Sequence, residues 1–391
     1  MTDTPIKLAD RMAHIEPFHV MSLLARAREL EAQGRHIVHM EIGEPDFVTP
    51  EPVMRAAQQA LRQGRTHYTP AVGLSALRER IAGYYNSQFN VPIKPEQVMV
   101  TPGASGALLL ALGVLVNPGD KVVLSDPGYP CNRHFVRMYE GEPVNLPVDA
   151  STRYQLTVPV LAKANIDPVT AVMLASPSNP TGTLLQPDEI DEWIGFAQAQ
   201  QAYLLMDEIY QGLVYDAANT TIAGKTEHAF VINSFSKYFC MTGWRLGWLL
   251  VPPGYEQHVE KLAQNIFLAP STLSQYAALA AFEDESVAIL EQHRLEFQRR
   301  RDFLAAAIQE LGFRLPVQPQ GAFYLYADCS SLTDDSFDFC HRLLQEAGVA
   351  LTPGKDFGSH ASERYIRFAY TTSMDQLEAG VERIRDFLAR C

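Results

Sequence analysis

Residues 203–210 read Tyr-Leu-Leu-Met-Asp-Glu-Ile-Tyr, an apolar run that ends abruptly on two acidic residues. Runs with apolar residues at consecutive positions also occur at 122–124 and 172–175. Strands of a parallel sheet are covered by helices on both faces, so they lack the polar alternation of half-exposed strands. We therefore predict a parallel sheet buried between helices, with residues 203–207 as one of its strands.

The same pattern predicts further strands and helices on both sides of this run. The predicted strands are Val98–Thr101, Lys121–Ser125, Ala171–Ser176, Tyr203–Asp207, Phe230–Ser234 and Leu246–Val251. Helical patterns lie between them at 105–116, 131–140 and 187–200, and Pro187 provides a favourable first turn for the last of these. This alternation of strands and helices is typical of a doubly wound α/β domain.

The pattern changes after about residue 287, where a long helical segment at 287–311 begins. Short strands at 322–326 and 365–369 and helices at 335–346 and 374–389 follow it. We predict a large domain over residues 45–290 and a smaller α+β domain over residues 291–391. An N-terminal segment, residues 1–44, contains a helix at 17–33 and is expected to pack with the small domain.

Composition and charge exclude several classes of protein. The 391 residues are 47% hydrophobic, a fraction typical of a folded globular protein and too high for a disordered one. The formal net charge is −13, and no cluster of Lys and Arg stands out, so nucleic acid is not an expected partner. No apolar run reaches the ~18 residues needed to cross a membrane, so no membrane association is expected.

The cysteines indicate a reducing compartment. There are five, they are scattered, and no two form the C-x-x-C spacing that would indicate a zinc site or a redox pair. Residues 1–11 lack the apolar core of a secretory signal. We therefore expect a cytoplasmic protein with free thiols and no bound metal.

Polar residues follow several of the predicted strands at the point where each strand ends. These segments are Gly103-Ala104-Ser105, Asp126-Pro127-Gly128-Tyr129, Ser178-Asn179-Pro180-Thr181-Gly182, Asp207-Glu208-Ile209-Tyr210 and Ser234-Phe235-Ser236-Lys237. Ligands of open parallel sheets bind outside the carboxyl ends of the strands. The sequence therefore predicts a binding site that draws on all of these segments.

Two of these residues indicate a particular chemistry. Lys237 is surrounded in sequence by apolar residues, which would lower its pKa and make its amine nucleophilic, although a surface lysine on a turn would look the same. Asp207 ends an apolar run, so its carboxylate should be buried and should need a partner. That partner could be a protonated heteroaromatic nitrogen, a helix N-terminus or a structural cation.

Other residues suggest sites for anions and rings. The turn at 101–106 could bring backbone N–H groups to a phosphate, with Ser234, Ser236 and Arg245 adding hydroxyls and a guanidinium, or it could be merely a tight turn. Arg367, in an alternating strand, could bind a carboxylate in its planar fork or could point to solvent. Tyr129 could stack on a ring or pack in a loop.

Taken together, these segments resemble the pyridoxal-phosphate-dependent aminotransferases of fold type I, in the class I/II family. The resemblance extends over nearly the whole chain. It rests on Ile42-Gly43-Glu44-Pro45-Asp46-Phe47, Tyr68-Thr69-Pro70, Ser178-Asn179-Pro180-Thr181-Gly182, Ser236-Lys237, Thr242-Gly243-Trp244-Arg245-Leu246-Gly247 and Arg367, in that order. It implies a mostly parallel central sheet with helices on both faces and a smaller α+β domain.

The resemblance also implies roles for individual residues. Lys237 would form a Schiff base with pyridoxal 5'-phosphate, Asp207 would pair with the ring nitrogen, and Tyr129 would stack on the ring. The ring's phenolic oxygen would be contacted by Tyr210 and Asn179. The phosphate would be held by Gly103, Ala104, Ser105, Ser234, Ser236, Arg245 and, from the neighbouring subunit of a homodimer with shared active sites, Tyr68. The substrate would be bound by Gly43, Asn179, Arg367 and Phe18.

The substrates implied are an L-amino acid and a 2-oxo acid such as 2-oxoglutarate or pyruvate. Aspartate-specific members commonly carry a lysine in a Gly-Gly-Lys loop where this chain has Ser105, and Phe18 falls in the segment that faces the side-chain pocket. Both departures favour a neutral, apolar or aromatic amino donor over aspartate.

Other functions on the same fold remain as alternatives. They are aspartate transamination, elimination or decarboxylation on the same cofactor, transamination of a sugar, and the sensor module of a transcription regulator. Arg367 argues against a sugar, which has no α-carboxylate. The acidic chain, without an added DNA-binding domain, argues against a regulator.

Overall fold

The computed structural model describes residues 6–390. Its strands are β1 (Val38–His39), β2 (Val98–Thr101), β3 (Lys121–Asp126), β4 (Glu142–Pro147), β5 (Ala171–Ala175), β6 (Tyr203–Asp207), β7 (Ala229–Ser234), β8 (Gly247–Leu250), β9 (Tyr324–Asp328), β10 (Val349–Ala350), β11 (Thr352–Pro353) and β12 (Tyr365–Ala369). Seven of them form one sheet in the order β2-β8-β7-β6-β5-β3-β4.

The central sheet is mostly parallel, as the sequence predicts. Strands β3 to β7 pair in parallel, whereas β8 runs antiparallel to both of its neighbours, β2 and β7. The predicted strands at 98–101 and 203–207 have the same limits in the structure, and the others differ by one or two residues. The strands at the centre are buried on both faces, which explains their continuous apolar runs.

Helices cover both faces of the central sheet and also lie in the N-terminal and C-terminal parts of the chain. They are α1 (His19–Ala32), α2 (Glu51–Arg62), α3 (Ser75–Phe89), α4 (Gly103–Leu115), α5 (Cys131–Met138), α6 (Val158–Ala164), α7 (Pro187–Gln200), α8 (Glu256–Ile266), α9 (Thr272–Leu279), α10 (Asp284–Glu310), α11 (Ser336–Arg342) and α12 (Met374–Leu388). Two hydrophobic clusters bury the sheet, one on each side of it. No helix among the described residues is both long and apolar enough to cross a membrane.

A second, antiparallel sheet carries Arg367. Strand β12 lies between β11 and β9, and the short strands β1 and β10 pair in parallel beside α1 and α12. The long helix predicted at 287–311 is α10, and the mixed sheet-and-helix character predicted for the C-terminal part is confirmed. The domain limits at residues 44 and 290 stay a prediction.

The described cysteines carry free thiols. They are Cys131, Cys240, Cys329 and Cys340, whereas Cys391 lies outside the described residues. Most are buried, so they behave as small apolar side chains of the core.

Candidate active site

Lys237 lies just after β7, in the turn that follows the end of that strand. Its Nζ donates a hydrogen bond of 2.7 Å to the carbonyl oxygen of Gly43. The same nitrogen lies 5.8 Å from the ring centres of Tyr210 and Phe323. The lysine amine therefore lies among aromatic rings and beside the backbone of a segment far away in sequence, and the side chain is half-buried.

This environment changes the protonation of the lysine. Burial lowers the pKa of Lys237 to about 8, the nearby carboxylates of Glu44 and Asp207 oppose the shift, and the guanidinium groups of Arg367 and Arg245 add to it. About half of the amine is thus neutral at pH 8, and the neutral form is the one that acts as a nucleophile or accepts a proton.

Asp207 ends β6 next to β7, with only 9% of its surface exposed. Its Oδ1 accepts a hydrogen bond of 3.1 Å from the backbone N–H of Ile209. Burial raises the pKa of Asp207 to about 6, while that hydrogen bond and the charge of Lys237 act in the opposite direction. Lys237 and Asp207 therefore influence each other's charge, and they lie at the ends of the neighbouring strands β7 and β6.

A cradle for an anion lies where β2 turns into α4. A Cβ added to Gly103 would come within 2.8 Å of Nη2 of Arg245, and one added to Gly247 would lie 3.0 Å from the backbone nitrogen of Ala104. The exposed guanidinium of Arg245 and the first turn of α4, which includes Ser105, thus lie close together. A helix N-terminus beside a guanidinium is a favourable place for a phosphate.

Two serines complete the wall of this cradle at the end of β7. The hydroxyl oxygens of Ser234 and Ser236 lie 2.9 Å apart, and the backbone N–H of Ser236 donates to Ser234 Oγ over 3.0 Å. Both serines are buried; Ser234 is the last residue of β7, opposite Gly247 of β8, and Ser236 directly precedes Lys237. The geometry therefore offers hydroxyl, amide and guanidinium donors within one short stretch of the sheet edge.

Arg367 lies on β12 and points into the same region. Its Nη1 donates a hydrogen bond of 2.9 Å to Asn179 Oδ1, and its Nη2 donates to the carbonyl oxygen of Glu41 and, over 3.3 Å, to Thr352 Oγ1. Only 4% of its surface is exposed. Its Nε finds no acceptor among the described residues, so the guanidinium retains a donor for a ligand.

Tyr324 belongs to this site although the sequence analysis did not identify it. Its hydroxyl lies 2.8 Å from the hydroxyl of Tyr210, and the guanidinium of Arg367 lies 4.2 Å from its ring centre. The same hydroxyl excludes any side chain at Gly43, because a Cβ there would lie 1.7 Å from it. A strand was predicted at 322–326, but nothing in that apolar and aromatic run indicated a catalytic or binding role for Tyr324.

Glu208 is a second residue whose structural role could not be predicted from the sequence. It is 2% exposed and accepts hydrogen bonds from Thr221 Oγ1, the backbone N–H of Ile222 and Nε2 of Gln211. Gln211 in turn accepts from Asn233, whose Oδ1 holds the backbone N–H of Ser234. This network ties the turn that carries Asp207 to the strand end that forms the cradle.

Three further predicted residues are Tyr129, Phe18 and Tyr68, and only the first two contact each other in the single chain. Tyr129 packs edge-on against Phe18 with 6.5 Å between ring centres, and charge on Asp207 contributes to the raised pKa of Tyr129, after the larger effects of burial and Cys131. Tyr68 is 83% exposed, and none of the contacts described above involves it. Tyr68 is therefore the predicted residue that the single chain does not bring to the site.

Comparison of the amino-acid sequence with known proteins identifies the family of this chain. A family model described as aminotransferase class I and II matches residues 35–384. A (5-formylfuran-3-yl)methyl phosphate transaminase of Methanocaldococcus jannaschii is 37% identical over 384 residues, 97% of this chain and 99% of that protein. A valine–pyruvate aminotransferase of Mycobacterium tuberculosis is 37% identical over 386 residues, with the same shares covered.

A solved structure shows that the fold is similar as well as the sequence. The crystal structure of an aminotransferase from Mycobacterium tuberculosis superposes with a TM-score of 0.95 at 37% identity and covers 99% of this chain and 100% of that one. The chain therefore belongs to the class I and II aminotransferase family, and it is an aminotransferase.

Proposed function

We propose that this aminotransferase works with pyridoxal 5'-phosphate held between Lys237, Asp207 and the cradle at Arg245. The observation that carries the proposal is the placement of an amine and a buried acid at the ends of neighbouring strands. Asp207, 9% exposed, ends β6, and Lys237 follows β7 with its Nζ on the carbonyl oxygen of Gly43. The donor set supports it, because amides, hydroxyls and a guanidinium suit a phosphate dianion. Gly103 and Gly247 allow the Arg245 guanidinium and the backbone at Ala104 to come close together, because a Cβ at either glycine would collide with them.

When bound, pyridoxal 5'-phosphate supplies an aldehyde that bonds to amines and a ring that withdraws electrons from the neighbouring carbon. Asp207 would hold a proton on the ring nitrogen through its buried carboxylate. Nζ of Lys237 would bond to the aldehyde at rest and would take up and return the proton at the substrate carbon. Tyr210 and Asn179 would donate hydrogen bonds to the ring's oxygen, and Tyr129 would cover one face.

Arg367 would bind the α-carboxylate of both substrates together with Asn179 and the backbone at Gly43. Its buried guanidinium with a free Nε matches a planar carboxylate better than a lysine ammonium can. Changing Arg367 to Lys is therefore expected to lower kcat/KM by about 10–100-fold for amino acid and oxo acid alike, mainly through KM. Steady-state kinetics of the full reaction gives kcat/KM for each of the two substrates. A loss confined to one substrate would contradict the assignment.

The lowered pKa of Lys237 predicts how cofactor uptake depends on pH. The neutral amine reacts with an aldehyde and the ammonium does not, so the rate of uptake by cofactor-free protein should rise as the pH increases through about 8. The rise should flatten once the amine is fully neutral. Stopped-flow absorbance across this range tests the prediction, and a rate that is constant or falls with pH would contradict it.

We further propose a cytoplasmic homodimer with shared active sites. The 83% exposure of Tyr68 supports this, because an aromatic residue so exposed is available to the phosphate of a neighbouring subunit. Free thiols at the described cysteines support a reducing compartment. Sedimentation equilibrium should give twice the chain mass of 43.6 kDa, and a monomer at working concentrations would contradict the shared site.

The amino donor that we propose has a neutral, apolar or aromatic side chain. Phe18, which packs beside Tyr129, and the serine at position 105 both support this class over aspartate. The named relatives act on a phosphate ester and on valine with pyruvate, so their names do not fix one substrate. A panel of amino donors with oxo acid acceptors tests the proposal by product analysis.

That panel also separates the alternatives. A new amino acid and a new oxo acid from two substrates support transamination, whereas ammonia or carbon dioxide from one substrate indicates elimination or decarboxylation. Fastest turnover of aspartate would contradict the proposed donor class. Turnover of leucine or phenylalanine at least about tenfold faster than aspartate would support it, because Ser105 offers no cation to the short acidic side chain of aspartate.

A further inference from the structure

Two cavities meet at Arg133, on the first turns of α5. The inner one is narrow, about 30 Å³, and is lined by Tyr129 and by Asn179, the residue that binds Arg367. The outer one is a cleft of about 530 Å³ between α5, the segment before α1 and the loop after β11. Asp126, Arg133, Asn145 and Gly358 line both cavities, so the outer cleft is connected through the narrow inner one to Tyr129 and Asn179.

The outer cleft favours anions. Its charged lining consists of the cations Arg133, Arg137 and Lys355 and the carboxylates Glu16 and Asp126. The carboxylate of Asp126 already accepts hydrogen bonds from the backbone N–H groups of Ser359 and His360 and from the hydroxyl of Ser359. The positive charge of the cleft is therefore only partly balanced within it.

Arg133 is the cation best placed to bind a substrate. Its side chain is 17% exposed, and its only ion pair among the described residues is a long contact of 3.5 Å with Glu16, which is 66% exposed. A pair so long and so exposed contributes little stability, so a ligand anion can replace the glutamate. Arg137, in contrast, is held by the carbonyl oxygen of His14 at 2.7 Å.

We propose that Arg133 and the outer cleft bind an anionic group at the far end of one substrate, the oxo acid that accepts the amino group. The α-carboxylate would lie at Arg367 and Asn179, and the distal carboxylate or phosphate would pair with the guanidinium of Arg133 in place of Glu16. This site is separate from position 105, where aspartate-specific relatives carry a lysine. The inference rests on the proposed function and adds the class of its second substrate.

The test compares oxo acids that differ only in the distal group, using the holoenzyme and one neutral amino donor. The anionic substrates are 2-oxoglutarate, 2-oxoadipate and 2-oxo-4-phosphonobutanoate, and the reference substrates are 2-oxopentanoate and 2-oxohexanoate. We expect kcat/KM to be at least about tenfold higher for an anionic substrate than for its reference, because a charge-assisted hydrogen bond is gained. The best of the three identifies the distal group as carboxylate or phosphate.

Variants test whether Arg133 is responsible for this preference. Arg133→Gln should bring the anionic-to-neutral ratio close to one, and Glu16→Gln should raise the ratio, because it removes the competing carboxylate. Arg385→Gln, in an exposed pair with Glu382 on α12, is the matched control and should leave the ratio unchanged. Calorimetry with unreactive glutarate and pentanoate should show the same order of affinities.

The outcomes separate the two proposals. Transamination with no anionic preference, or with a preference that survives Arg133→Gln, overturns the inference and leaves the proposed function intact. A ratio that falls in Glu16→Gln also overturns it. Absence of transamination with every pair of substrates contradicts the proposed function itself.

Discussion

Replacing Lys237 by alanine is expected to lower the rate of transamination by about 10⁴-fold or more while the protein stays folded. The side chain is half-buried and makes one hydrogen bond, to the carbonyl oxygen of Gly43, so its removal sacrifices little packing. The catalytic loss is large because the same amine both holds the cofactor and moves the proton in the proposed mechanism. Single-turnover kinetics with the best donor measures the effect.

The matched control is Lys225→Ala, which removes an exposed lysine from the connection between β6 and β7. This variant should retain the activity of the parent protein. Circular dichroism and the melting temperature should be close to those of the parent in both variants. Full activity in Lys237→Ala would refute the assignment, and equal losses in the two variants would show that the effect is not specific.

Changing Asp207 to asparagine is expected to lower kcat by about 10²–10⁴-fold. The amide is almost the same size and can still accept from the N–H of Ile209, but it cannot carry the negative charge that would keep a ring nitrogen protonated. The measurements are kcat and the dissociation constant of pyridoxal 5'-phosphate, which should rise as well. Asp188→Asn, at an exposed position in the first turn of α7, serves as the control.

Asp207→Asn should lower kcat, but it should not lower the free energy of unfolding. Burial raises the pKa of Asp207 to about 6, above its value in the unfolded chain, so its ionised form costs the folded state free energy at neutral pH. The asparagine variant should therefore match or exceed the parent in free energy of unfolding at pH 7 without cofactor. A marked loss of stability would mean that the charge of Asp207 has a structural partner.

The central sheet was predictable because its strands are unusually apolar. Burial on both faces leaves continuous runs such as 203–206, and the predicted limits of β6 agree with the structure. Strand β4 was missed because it lies at the edge of the sheet, is partly exposed and contains two prolines, which an edge strand tolerates. The reversed direction of β8 follows from chain topology, which its apolar sequence does not encode.

Site residues could be predicted only where reactive or charged side chains lie at the ends of buried strands. Lys237, Asp207 and Arg245 follow or precede buried strands, so their convergence follows from the sheet. Tyr324 and the carbonyl oxygen of Glu41 could not be predicted, because their contacts join segments that are far apart in sequence and involve groups common to any chain. The pairing of Arg367 with Asn179 spans 188 residues and depends on how the second sheet meets the first.

The most direct test of the central claim is a crystal structure of the protein grown with pyridoxal 5'-phosphate. We predict electron density that joins Nζ of Lys237 to the cofactor, with the ring nitrogen at hydrogen-bonding distance from the carboxylate of Asp207 and the phosphate at the Arg245 cradle. A cofactor bound away from these residues, or one that leaves Lys237 on Gly43 and Asp207 without contact, would contradict it.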